Sequence, residues 1–241
     1  MTSPLVVKMR AALAAVAEPE RAPAMQAYMK SAMPYLGVPM PVARKVFKQV
    51  FADHPFDDAV AWDREVRGMF LGAEHREERY GAIALAGHRR ADAWKTMDAL
   101  PMYEELVVTG AWWDFVDEIA GHQLGPMLLK NGRAMRRAMQ AWSRSDNLWK
   151  RRAAIICQLD LKEKTNLPLL YSCIEPALSS DEFFLRKAIG WALRQYARID
   201  MNEVKRYVAE NEARLSPLSK REALKHGDQT AEGEDQSSES A

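Results

Sequence analysis

Lys150-Arg151-Arg152-Ala153-Ala154-Ile155-Ile156 carries a pattern that returns at a nearly constant interval along this 241-residue chain. Glu78-Arg79-Tyr80-Gly81-Ala82-Ile83-Ala84, Asp114-Phe115-Val116-Asp117-Glu118-Ile119-Ala120 and Leu185-Arg186-Lys187-Ala188-Ile189-Gly190-Trp191 align with it in steps of 36, 36 and 35 residues. That interval suits stacked pairs of helices, each pair burying its apolar face against the next. Within the alignment Asp117 stands in a column otherwise filled by Gly81, Ala153 and Ala188. A carboxylate among small residues points to a locally acquired role.

Beyond these segments the apolar period is helical nearly everywhere. Helices are expected over 5–17, 21–33, 41–53, 59–71, 76–87, 112–121, 133–143, 148–161, 166–175, 182–197, 201–211 and 217–226, separated by Gly, Pro and Asp-rich breaks. No sustained strand-type alternation occurs, so the fold class is all-α. With 48% apolar residues spread along its length, residues 1–226 can bury a continuous core as one domain. No run approaches the roughly 18 apolar residues of a membrane span, and a soluble, cytoplasmic protein is expected. Cys157 and Cys173 both sit in apolar helical settings and read as reduced core thiols.

The net charge of +1 conceals an asymmetry. The stretch 227–241 holds five acids and no base, and its composition cannot bury enough to fold, so a disordered tail is expected. Residues 127–226, by contrast, hold twenty bases and eleven acids. That half is the candidate polyanion-binding half, although basic residues also serve simply to solvate helix surfaces.

Three places combine aromatic, acidic and basic groups. At roughly 100° per residue, Trp112, Phe115, Val116 and Ile119 share an apolar stripe, while Trp113 and Asp117 lie one turn apart on another flank. On the helix near 182–197, Leu185, Ala188, Ile189, Ala192, Leu193 and Tyr196 form a core stripe, and Lys187, Trp191, Arg194 and Arg198 fall nearly opposite. Trp191 is then either an aromatic on a phosphate-binding face or a cover for a neighbouring helix. Arg152 projects into the stripe of Leu148, Ile155, Ile156 and Leu159, where a guanidinium needs an anion: a protein carboxylate or a ligand phosphate.

Other chemistries find no support. The chain has no phosphate-binding Gly-rich loop, no Gly-x-Ser-x-Gly elbow and no His-Glu-x-x-His pair, and its five histidines and two cysteines lack metal-ligand spacing. The acidic run Glu74-His75-Arg76-Glu77-Glu78 reads as a solvated face, and the thirteen methionines as packing.

Trp112-Trp113-Asp114-Phe115-Val116-Asp117, Trp149-Lys150-Arg151-Arg152-Ala153-Ala154-Ile155 and Phe183-Phe184-Leu185-Arg186-Lys187-Ala188-Ile189-Gly190-Trp191-Ala192-Leu193-Arg194 resemble the signatures of the DNA alkylation repair glycosylases of the AlkD type. Tyr28-Met29-Lys30, followed by Tyr35-Leu36-Gly37-Val38, is similar to that family's N-terminal helix and loop. The likeness runs from Tyr28 to Arg198. It implies a right-handed, C-shaped α-solenoid of HEAT-like antiparallel helix pairs that holds duplex DNA in a basic groove. It further implies metal- and cofactor-independent hydrolysis of the N-glycosidic bond of 3-methyladenine and 7-methylguanine, by a monomer with no obligate protein partner and no membrane association. Carried over residue by residue, Asp117 is the catalytic carboxylate, Trp113 and Trp191 flank the damaged nucleotide, and Arg152 lies beside it on the backbone. Tyr28 joins the DNA-binding residues, and Lys187, Arg194 and Arg198 hold phosphates. The competing reading is a non-catalytic helical-repeat scaffold in which Asp117 pairs with Arg152 purely for structure.

Overall fold

The computed structural model describes residues 3–52, 54 and 56–225; the acidic stretch 227–241 lies outside the described residues. Among these residues there is no strand, and thirteen α-helices account for the architecture: α1 (Pro4–Ala14), α2 (Ala22–Met29), α3 (Met40–Phe51), α4 (Ala59–Leu71), α5 (Arg76–Ala86), α6 (Leu100–Gly110), α7 (Trp113–Ile119), α8 (Gly125–Trp142), α9 (Leu148–Ile156), α10 (Leu167–Ile174), α11 (Phe183–Ala197), α12 (Met201–Glu210) and α13 (Pro217–Leu224). No described helix is long and apolar enough to cross a membrane. The helices fall into two compact units, Met1–Gly110 and Ala111–Ala241. The four aligned segments lie on α5, α7, α9 and α11, and Gly81, Ala153 and Ala188 of the small-residue column are all buried.

In the first unit α5 packs against α1, α3 and α4. A side chain at position 81 would meet the Met9 sulfur at 2.5 Å and the Phe47 ring at 3.1 Å, which explains the glycine. The end of α5 is closed by two aromatic donors, Trp62 Nε1 to the Leu85 carbonyl at 3.2 Å and Tyr103 Oη to that of Ala86 at 3.0 Å. The acidic run at the start of α5 is not a solvated face. Glu77 is fully buried and accepts the backbone N–H groups of Leu36, Gly37 and Val38 at 3.0–3.1 Å. Glu78 is also buried, pairing with Arg10 at 2.9 Å and accepting the His75 N–H. Carboxylates supplied with several donors tolerate burial, and nothing in the local charge pattern distinguishes them from exposed ones.

Helix α6 is not among the segments expected from sequence. Pro101 sits in its first turn, where proline is tolerated, and Val107-Val108-Thr109 weakens the helical signal, yet Leu100, Met102, Tyr103, Leu106 and Val107 are buried.

In the second unit α7, α9, α11 and α13 pack in succession, while α10 lies against α8 and α9, and α12 against α11 and α13. A π-turn, Ala120–Leu124, joins α7 to α8, and α8 is itself broken at Gly132 (φ 49°, ψ −116°). The arm before the break therefore prolongs α7, and Gly125 comes so close to α9 that a Cβ would lie 2.6 Å from the Cys157 carbonyl oxygen. The arm after it reaches α10, where Gln140 Nε2 donates to Ser172 Oγ at 3.2 Å. Cys157 and Cys173 are free and buried, as expected; burial pushes both thiols up, Cys173 to about 11, which leaves them unreactive.

Candidate active site on α7, α9 and α11

The side chain of Asn147 accepts the N–H groups of Trp149 and Lys150 at 3.0 Å and so fixes where α9 begins. One turn on, Arg152 points inward, only 5% exposed. Its Nε and one Nη donate to the two carboxylate oxygens of Asp117, each at 2.7 Å, and the other Nη donates to the Phe184 carbonyl at 2.6 Å. The anion that a guanidinium on this stripe requires is thus a protein carboxylate. One side chain ties three successive helices together: α7 through Asp117, α9 by its own backbone, and α11 through Phe184.

The Asp117 side chain retains 14% of its exposure. Burial pushes its carboxyl above the ordinary aspartate value, aided by the charge of Asp114, while the hydrogen bonds and charge of Arg152 pull against that rise. Each carboxylate oxygen has a further lone pair, so the bidentate pair leaves acceptor capacity on the open side.

Trp113 opens α7 and is half-buried. Phe115, Val116 and Ile119 are fully buried, but Trp112 departs from their stripe: it precedes the helix with an extended backbone (φ −151°, ψ 150°) and is half-buried. Helical spacing does not govern a residue outside the helix. Its ring lies 5.9 Å from Trp149 and 5.6 Å from Phe184, forming an aromatic cluster beside the Arg152 pair that the sequence reading missed. Among the described residues no three His, Cys, Asp or Glu side chains are grouped as a metal would require.

The family model for the DNA alkylation repair enzyme matches residues 9–226. The chain belongs to that family. A solved structure described as a predicted DNA alkylation repair enzyme from Enterococcus faecalis is 32% identical, with a TM-score of 0.76 over 87% of this chain and 96% of that one. No curated protein matches. Membership makes DNA repair the role of the protein and DNA its partner.

In this member of the family the basic face of α11 is not as open as its periodicity suggests. Leu185, Ala188, Ile189, Ala192 and Leu193 are buried as expected, Tyr196 of the same stripe is only half-buried, and so is Trp191. Lys187 Nζ and Arg194 Nη1, however, both donate to Glu222 of α13, at 3.0 and 2.6 Å. The two cations hold that carboxyl below the usual range, Lys187 most strongly. Glu222 was not foreseen, but a signal existed: Gly190 flanks the basic face, and a side chain there would lie 2.5 Å from Glu222 Cβ and 2.9 Å from the Ser219 carbonyl oxygen. Arg198 ends α11 and is exposed. Tyr28 belongs to α2 of the first unit, 77% exposed.

Proposed function

We propose that the protein is a monofunctional glycosylase that hydrolyses the N-glycosidic bond of cationic alkylated purines, 3-methyladenine and 7-methylguanine, in duplex DNA. The observation that carries this reading is the Asp117 carboxylate, gripped through both oxygens by Arg152 yet still partly open. A purine alkylated at N3 or N7 is a good leaving group already, and its departure leaves an oxocarbenium-like sugar. An ionised carboxylate near C1′ stabilises that charge and orients the attacking water, and because Arg152 fixes it beforehand it need not reorganise as the charge develops. Trp113 and Trp191 supply aromatic faces to the cationic nucleotide. Because the lesion provides much of the driving force, the base need not be fully extruded, unlike the usual glycosylase substrate.

Arg152 is here a positioning residue for Asp117 rather than a phosphate ligand. Arg198 and Tyr28 are left as exposed DNA contacts, whereas a phosphate at Lys187 or Arg194 has to compete with Glu222. No lysine accompanies Asp117 as a Schiff-base nucleophile in the matching motif, which favours hydrolysis over lyase chemistry. Purified protein, with chelator present, is expected to release free methylated base from methylated duplex DNA; undetectable release would leave the scaffold reading. That reading draws on the same ion pair, since three of the five Arg152 donors are already taken within the protein.

The pH profile follows from the carboxyl. Asp117 acts ionised, so excision falls as the pH drops through its value, and burial places that value above the ~3.9 of an ordinary aspartate. The acid limb of single-turnover excision is therefore expected above the ordinary aspartate value, and a limb at that value or below it would contradict the assignment.

A further inference from the structure

Several bases of the second half of the chain are matched within the protein. Lys187 and Arg194 share Glu222, Arg152 is matched by Asp117, and Arg186, Arg206 and Arg214 pair with Asp181, Glu203 and Glu175. One group of arginines lies together on α8. After the break at Gly132, Met135, Met139 and Trp142 are buried, Arg133 and Arg137 occupy the opposite side and Arg136 its flank, with Arg144 continuing the line of Arg137 two turns on. Arg133, Arg137 and Arg144 are exposed and Arg136 is half-buried. No aspartate or glutamate occurs anywhere in α8 or in the two helices that it packs against, α9 and α10. An exposed helix face ordinarily mixes both signs, and a run of arginines with no carboxylate on three adjoining helices suits an external polyanion.

We propose that the outward face of α8, formed by Arg133, Arg136 and Arg137, is a second contact surface for the phosphate backbone of duplex DNA, distinct from the residues around Asp117. Guanidinium forks bind phosphate oxygens in pairs, and three of them within two turns suit a repeating polyanion better than a single small anion. The inference rests on DNA being the partner and is independent of the excision chemistry.

The test is binding of the full chain to an undamaged duplex over a series of salt concentrations. Each phosphate contact contributes about 0.9 to the slope of log affinity against log salt, so the triple variant Arg133→Gln, Arg136→Gln, Arg137→Gln should flatten the slope by about 1 to 3. The triple lysine variant at the same positions, which keeps the charge, should restore most of it. An unchanged slope in the glutamine variant overturns the proposal; so does equal loss in both triple variants, which would mean a damaged fold. A face covered by an acidic peptide, residues 227–241 included, gives the unchanged result. Since the probe carries no lesion, failure here leaves the glycosylase reading standing, and absence of base release leaves this one standing.

Discussion

Asp117→Asn is expected to retain duplex binding and to lose at least about tenfold in single-turnover excision of 7-methylguanine, corresponding to about 1.4 kcal/mol of transition-state stabilisation. Asparagine keeps the shape and one acceptor for Arg152 but removes the charge that faces the developing sugar cation. Losses of a single preorganised electrostatic group elsewhere reach about a hundredfold or more, so tenfold is the lower bound. The substitution also leaves the Arg152 guanidinium without a counter-charge at a 5% exposed position, and stability will fall with activity. Thermal unfolding must therefore be followed in parallel, with excision measured well below the variant's midpoint. Unchanged excision in folded protein removes Asp117 from the chemistry and returns the ion pair to a purely structural role.

The second large effect belongs to Arg152. Arg152→Met should cost about 3–5 kcal/mol, because it strands a carboxylate whose side chain is 14% exposed and frees the Phe184 carbonyl. In a protein of this size that corresponds to a fall of roughly 10 °C in the melting midpoint. Combining it with Asp117→Leu should recover most of the loss, since a buried pair replaced by apolar groups of similar volume is often near neutral. If the double variant is as unstable as Arg152→Met alone, the cost arises from packing or from the Phe184 hydrogen bond and not from the unpaired charge. The stable double variant, if inactive, separates the contribution of the pair to folding from its contribution to excision.

Residues whose environment is fixed by their own helix were legible in the sequence. The stripe of α11, the inward aim of Arg152 and the setting of Asp117 apart from the buried Phe115, Val116 and Ile119 all follow from a 100° rotation per residue. What was illegible depends on a second element arriving. Glu222 comes from α13, thirty-five residues beyond Lys187, and only the bare Cα of Gly190 hints that something packs there. Likewise Glu77 is buried because a loop around Gly37 turns three N–H groups toward it, a geometry that its charged neighbours conceal. Trp112 was misplaced by one residue of helix boundary, the least secure quantity in any reading of periodicity.

The π-turn between α7 and α8 makes the aim of the carboxylate a matter of counting. Gly125 is pinned against the Cys157 carbonyl, and its N–H reaches back five residues to Ala120 instead of four. The extra residue in that loop of backbone sets the rotational phase of everything before it, Asp117 included, relative to α9. An ordinary α-turn there would swing the upstream segment by about a quarter of a revolution, carrying the carboxylate off Arg152 while every side chain stayed the same. The site is therefore encoded partly in chain length, as a winding number, and not in residue identity alone.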